Sequence, residues 1–514
     1  MRVGGGRRRP HLGHLGHLGH VCRPRWRLVG ARADSVVGVR RVPGRSDRRA
    51  EGVDVERYRS RSLWLATLDG DELRPRAPLD GDRTVDVAIV GAGFTGLWTA
   101  VELLARRPSL SVLVLESEMA GFGASGRNGG WCSALLPMSF DSVAREHGVE
   151  GARTLWAAMR STVDEVGRRA LELGIDCRYA KGGSIRLARN AAQAARLHDE
   201  LAIERANGAS DEDLRWLDAT EARRVIDATA VRGALYTPHC AAIHPAALVR
   251  GLARAVETAG GTVCEQTRVT SIAPGIVGTD RGTVRARSII RATEGYTPML
   301  PGARRAIVPL YSLMIATEPL ADDVWAQIGL ADRPTFSDAR RLIIYGQRTA
   351  DGRLAFGGRG APYHFGSSIT DGHDRHDATH LALREILVDL FPVLANAAVT
   401  HAWGGPLGVP RDWACSVGYD QATGLGWAGG YVGDGVATAN LAGRTLADLV
   451  CGLDTPITRL PWVGHRSPDW PIEPARWIGI NAAARLPAIV DRAEQAGRPP
   501  SRLATRMLDR LTGH

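Results

Sequence analysis

The chain of 514 residues has no Cys-x-x-Cys pair and no catalytic dyad signature. It also lacks any apolar run of the about 18 residues that a membrane span requires. Seven cysteines (Cys22, Cys132, Cys177, Cys240, Cys264, Cys415 and Cys451) are scattered and odd in number. That pattern predicts reduced thiols and a cytoplasmic setting rather than a disulfide framework or a thiolate metal site. Arg7-Arg8-Arg9 is not followed by an apolar stretch, which argues against a signal peptide. Net charge is missing from most of the chain. Of the formal +10, residues 1–50 carry more than all, with thirteen Arg, no Lys and two Asp. The remainder is close to neutral, so neither nucleic acid nor a membrane surface is an expected partner of the folded part. The basic segment contains His11-Leu-Gly-His14-Leu-Gly-His17-Leu-Gly-His20. A metal-binding tract or a nucleic-acid arm is one reading of it; the expectation adopted is a disordered basic extension with no metal site. Hydrophobic content of 44% and charged content of 23% fit a globular protein.

What is present is concentrated between Val85 and Gly130. Val85–Val90 is short, apolar and β-branched, as a buried parallel strand should be. It runs into Gly91-Ala-Gly93-Phe94-Thr95-Gly96, which opens a helix carrying Trp98, Val101 and Leu104 on one face. A second short strand, Ser111–Leu115, ends at Glu116, twenty residues beyond Gly96. The order strand, glycines, helix, strand, acid is the pattern that holds a dinucleotide. Gly91 permits the tight turn, Gly93 lets a pyrophosphate approach the backbone, and Gly96 lets helix and strand pack closely. The helix N-terminus offers N–H groups to the anion, and Glu116 would accept from ribose hydroxyls.

Further along, Gly121–Gly130 is a second glycine-rich segment, followed by Trp131 and a helical region at about 140–174. Strands are expected over 177–189, a charged Ala-rich helical stretch over 190–226, and an amphipathic helix from Ala247 to Glu257 after His244-Pro245. Strand signals follow at Thr262–Glu265 and towards Ile290, then at Ile307–Thr317, Leu342–Tyr345 and Leu354–Gly358, with a helix near 378–391. Gly424–Gly435 is a third glycine-dense turn and opens a helix over Val436–Val450. If all three glycine-rich segments meet one ligand, the nucleotide-binding domain is discontinuous.

Val85–Glu116, Gly121–Gly130, His244–Leu252 and Gly429–Leu446 together resemble the FAD-dependent amine and amino-acid oxidoreductases of the D-amino-acid oxidase family. Gly123–Gly130 and Gly430–Gly443 are most similar to its γ-glutamylputrescine oxidase branch. The resemblance covers roughly residues 84–452. It implies an α/β (overall α+β) fold: a Rossmann-like FAD-binding domain, discontinuous, with an inserted antiparallel-sheet substrate domain. The FAD-binding parts would be 85–175, 236–300 and 403–452, and the substrate parts 176–235 and 301–402. Residues 51–84 would be a lead-in, with Trp64 as an anchor, and 453–514 a helical tail.

The same resemblance implies FAD contacts at Gly91, Gly93, Phe94, Thr95, Gly96 and Glu116. Further contacts would come from Ser125, Gly126, Arg127, Asn128 and Gly129, and from Gly430, Gly433, Gly435 and Val436. It also implies departures. Where sarcosine oxidase has a Lys for the substrate carboxylate, this chain has Ala437; near Gly358–Pro362, where that relative has a second Lys, the only cation is Arg359. An amine or conjugated amine is therefore favoured over a simple α-amino acid, and oxygen as the electron acceptor stays open. Catalytic candidates are Arg359, Tyr311, Tyr345 and Asp434. Asp434 either orients substrate or caps the helix; Tyr363 and His364 are further cage candidates. His244 is read as a helix start, and Cys132 and Cys415 as buried, inert thiols. The implied activity is oxidation of a C–N bond by hydride transfer to FAD. The alternatives are a non-amine substrate such as a hydroxy acid, or a non-catalytic dinucleotide-binding protein.

Overall fold

A computed structural model describes residues 55–498; the basic extension, Cys22 and residues 499–514 of the tail lie outside the described part. Strand Arg83–Val90 is the centre of the first sheet, because its last four residues are buried. It pairs in parallel with Val112–Leu115 on one side and Thr283–Arg291 on the other. Thr262–Cys264 extends the sheet beyond Val112–Leu115. Leu425–Gly429 adds in parallel to Thr283–Arg291, and Ser416–Asp420 closes that edge antiparallel. The hairpin Val269–Ala273/Ile276–Thr279 folds onto the start of Thr283–Arg291. The chain leaves Arg83–Val90 for neighbours on opposite sides, so a crevice opens at the carboxyl ends of the strands, where α/β sheets bind ligands.

Two helices seal one face of this sheet. Helix Phe94–Arg106 is buried continuously from Phe94 to Leu104, and helix Gly435–Cys451 packs along it. Gly443 makes the close approach possible: a Cβ there would lie 2.7 Å from Trp98 Cβ. The helix expected at 140–174 is observed as Phe140–Glu172, with non-helical geometry at Gly148.

The second sheet has eight strands in the order Val399–Val409, Val308–Thr317, Leu354–Gly358, Ile344–Arg348, Thr335–Asp338, Ser184–Ala188, Gly233–Thr237, Arg215–Asp218. Its pairings are antiparallel except one, the parallel join of Thr335–Asp338 to Ser184–Ala188. That join stitches the two sequence segments of the sheet together. Three expectations need correction. Arg215–Asp218 is a strand inside the stretch read as helical; the helix following it is capped by Asp218 and Glu221, whose box pulls the pattern towards a helix reading. Strands Gly233–Thr237 and Val399–Val409 run through the expected domain limits at 235/236 and 402/403. The second strand was obscured by Gly404, Gly405 and Pro406. Pro406 is tolerated because this is the edge strand of the sheet.

The lead-in is part of the core rather than a mere approach to it. Leu63, Trp64 and Leu65 are buried together with Phe122, Met314 and Trp403. The tail is tied down as well: Asp491 accepts from the backbone N–H of Arg341 and Leu342, and Trp462 is buried.

Candidate active site

A cleft of about 490 Å³ opens at the carboxyl ends of the first sheet. Residues from all three glycine-rich segments line it: Gly91, Gly93, Phe94 and Thr95; Gly121 through Ser125 with Arg127 and Asn128; and Gly433, Gly435 and Val436. Gly91 has φ +105°, and a Cβ there would sit 2.5 Å from the Ala292 carbonyl oxygen. Gly93 is different: its backbone is ordinary, and a Cβ would meet only the Ser125 hydroxyl, at 3.0 Å. The protein itself therefore leaves room at Gly93 on the cleft side. Glu116 also lines the cleft, accepting from the N–H of Ala92 at 2.9 Å and of Glu118 at 3.1 Å, while burial raises its pKa.

The loop 121–130 is held from behind. Ser62 Oγ donates to the Gly126 carbonyl, Trp403 Nε1 to that of Arg127, and Trp64 Nε1 to that of Asn128, at 2.8, 2.9 and 2.7 Å. The N–H groups of Gly126, Arg127 and Asn128 close the loop's own turn onto Gly123 and Ala124. Ser125 Oγ accepts from Phe94 N–H at 2.9 Å, linking the loop to the start of the first helix. Arg127 is no surface ion pair. Its buried guanidinium donates to Asp374 at 2.7 Å, Gly404 O at 3.1 Å and the Tyr296 hydroxyl at 2.6 Å, and Arg61 shares Asp374 at 2.8 Å.

Four expected contacts fall behind the lining. Gly96, whose Cβ would lie 2.0 Å from Gly91 O, and Gly126, whose Cβ would lie 2.2 Å from Gly121 O, act as packing glycines. Gly129 abuts the Tyr345 ring, and Gly430 abuts Pro410 and lines a different cleft.

At the third glycine-rich turn the Asp434 carboxylate makes no cap hydrogen bond, which removes the capping alternative. It faces Ser133 Oγ at 3.5 Å and interacts with Arg359. Burial pushes its carboxyl up to about 6, with Arg359 and Ser133 drawing it partway back. Arg359 donates to the Val432 carbonyl at 2.7 Å, its pKa lowered by burial and supported by Asp434. The Tyr345 hydroxyl lies 2.8 Å from Ser312 Oγ, and its ring stands edge-on to Trp131. Arg359, Asp434 and Tyr345 thus form one polar cluster beside the cleft.

Tyr311 does not join them. Adjacent strand residues point to opposite faces, so Tyr311 lies on the face away from Ser312 and Tyr345, edge-on to His364 and His373. Tyr363 is a buried support, bonded to Ser367 and Glu473. His244 caps helix Pro245–Thr258, Nδ1 accepting from Ala247 N–H, and burial brings its pKa down to about 4. Cys132 and Cys415 are buried, with thiol pKa values raised by that burial.

Among the lining residues that escaped the sequence reading, Glu294 is a buried acid. Glu294 follows the carboxyl end of strand Thr283–Arg291 with φ +41°. Its Oε1 accepts from Tyr431 N–H at 3.0 Å, and its buried Oε2 has no hydrogen-bond partner among the described residues. Burial pushes its carboxyl up to about 7. The signal was available: an acid just past a parallel strand beside the nucleotide strand sits at the ligand edge of the sheet.

Residues 86–449 match the family described as DAO, FAD dependent oxidoreductase. The chain belongs to the DAO family. Among DAO-type relatives, γ-glutamylputrescine oxidoreductase of Escherichia coli (strain K12) is 32% identical over 383 residues, covering 74% of this chain and 86% of that protein. The probable oxidoreductase OrdL of Haemophilus influenzae is 29% identical over 405 residues, 77% of this chain and 89% of its own. The crystal structure of glycine oxidase from Geobacillus kaustophilus superposes with a TM-score of 0.62 at 23% identity, over 73% of this chain and 96% of that one. Membership makes this an FAD-dependent oxidoreductase of mixed α/β fold. The residues fit that cofactor: the open side of Gly93, the acid at the end of the second strand and the convergence of three distant segments on one cleft. Among the described residues no cluster suits a metal ion, and no helix is long and apolar enough to cross a membrane.

Proposed function

We propose that this chain oxidises the C–N bond of an amine or amino-acid derivative, with FAD held in the cleft of the first sheet. The observation that carries the reading is the meeting of the three glycine-rich segments on one groove, with the Asp434–Arg359–Tyr345 cluster immediately beside it. The names of its relatives, γ-glutamylputrescine oxidoreductase and glycine oxidase, support the substrate class.

Gly91, Gly93, Phe94 and Thr95 would receive the pyrophosphate at the helix start, and Glu116 the ribose hydroxyls. Ser125, Arg127, Asn128, Gly433, Gly435 and Val436 would bound the rest of the cofactor. Bound FAD supplies the two-electron acceptor for the α-C–H hydride of a neutral amine, leaving an imine that water converts to a carbonyl and an amine or ammonia. The chain's own residues prepare that amine. Asp434, with a pKa of about 6, accepts the proton that a substrate ammonium must lose. Arg359, pinned to Val432 O, keeps the carboxylate charged and in place. Tyr345, fixed by Ser312, forms the aromatic wall that a cationic amine approaches. The positive end of helix Gly435–Cys451 stabilises negative charge that builds beside it during oxidation.

The test is anaerobic titration of the yellow holoenzyme. γ-Glutamylputrescine, putrescine, glycine and sarcosine are compared with lactate and glycolate. Bleaching by an amine and not by the hydroxy acids is expected; bleaching by hydroxy acids alone contradicts the reading. Hydrogen peroxide release on admitting air then assigns oxygen as acceptor, and its absence assigns another.

A further inference from the structure

A second cleft, of about 590 Å³, runs along strand Leu425–Gly429 of the first sheet, behind the third glycine-rich turn. One wall is the end of strand Thr283–Arg291; another is segment 465–467, which lies beyond the residues matched to the family. Two guanidiniums face this space, Arg291 and Arg466. Neither has a hydrogen bond or ion pair with any described residue. Arg291 is largely desolvated, and its pKa is lowered by that burial and by Arg466. Arg466 lies over the Trp427 ring, 4.2 Å from its centroid. The other charges on the wall are already matched. His465 is paired with Asp412 at 2.8 Å, and Asp420 bonds Ala422 N–H and Thr423 Oγ1 in its own turn, attracting Arg466 only at longer range.

Two adjacent cations with no directly bonded counter-charge, Glu294 attracting Arg291 and Asp420 attracting Arg466 only from beyond ion-pair distance, are costly when one of them is largely desolvated. Guanidiniums in this arrangement match the paired oxygens of a carboxylate or phosphate. Ile289, Leu300, Ile307, Pro410 and Trp427 give the rest of the lining an apolar part, beside the hydroxyls of Thr297, Ser416, Thr423 and Ser467. We infer that this cleft binds a small organic anion, an oxyanion headgroup between Arg291 and Arg466 with its apolar body against Trp427. Leu300 lines both clefts and Glu294 interacts with Arg291, so the site adjoins the cofactor cleft without sharing its ligand. The inference does not depend on the substrate proposed above.

The test is calorimetric titration of the FAD-loaded full chain with phenyl phosphate, phenylacetate and the neutral 2-phenylethanol. At least one anion should bind and the alcohol should not; the tighter anion identifies the headgroup as phosphate or carboxylate. Arg291→Gln and Arg466→Gln should each weaken that binding by about tenfold or more, with the flavin spectrum unchanged as evidence of folding. Arg466→Gln, at the rim, serves if Arg291→Gln does not fold. Failure of both anions to bind, equal binding of the alcohol, or unchanged affinity in a folded variant overturns the inference.

Discussion

The Thr95 and Tyr431 hydroxyls lie 2.9 Å apart, joining residues 336 positions apart in the chain. Thr95 belongs to the first turn of the nucleotide helix, and Tyr431 to the last glycine-rich segment; both line the cleft. Glu294 holds the same turn from the other side through Tyr431 N–H. Tyr431→Phe removes a buried hydrogen bond while keeping the ring, and should cost about 1 kcal/mol of stability in urea unfolding of the apoprotein. No loss would mean that the pair contributes nothing to joining the two segments.

In the proposed reaction Asp434 is the group that sets the pH dependence. As a base it must be ionised, so kcat/KM should rise with pH through about 6 and level off above it. Asp434→Asn should abolish that limb and lower kcat/KM by about 10²–10⁴. Stability should move the other way. The folded pKa lies above the ordinary 3.8, so folding favours the protonated form. Its contribution is fully present below about 4 and is lost as pH rises through 6. The Asn variant should therefore exceed wild type in stability at pH 8, with the gap closing on acidification.

Glu294 obeys the same sign at a higher pH, its pKa raised from 4.5 to about 7. Glu294→Gln keeps an acceptor for Tyr431 N–H. Thermal melts should show it more stable than wild type at pH 8, and progressively less so as pH falls from 7 towards 4.5. A pH-independent difference would show that the carboxyl is not held in its neutral form by burial.

Arg127 and Asp374 form a buried pair shared with Arg61. Arg127→Met strands part of that charge and should cost about 3–5 kcal/mol in guanidinium unfolding. The double variant with Asp374→Asn should recover part of the loss.

The nucleotide half of this site was legible because its physics is local. Gly91 is demanded by its own φ of +105° and Gly96 by the Gly91 carbonyl in the same turn, and Val85–Val90 reads as a buried strand on apolarity alone. What escaped depends on distant partners. Ser62 and Trp64 brace loop 121–130 from a segment that looked like a lead-in. Strand Val399–Val409 holds Pro406 only because its outer edge is unpaired. Tyr311 and Tyr345 were grouped by residue type, yet strand alternation puts them on opposite faces. The unpartnered Oε2 of Glu294 is visible only once Gly408, Gly429 and Tyr431 are assembled around it.

The central claim is that the three glycine-rich segments surround one FAD, and Gly93→Val tests it most directly. Its φ of −84° is open to any residue, and the first neighbour of a Cβ is a movable hydroxyl. The variant should keep the wild-type circular dichroism and yet take up no FAD, judged by flavin absorbance after reconstitution and desalting, whereas wild type binds one per chain. A folded Gly93→Val protein retaining FAD as wild type does would contradict the account.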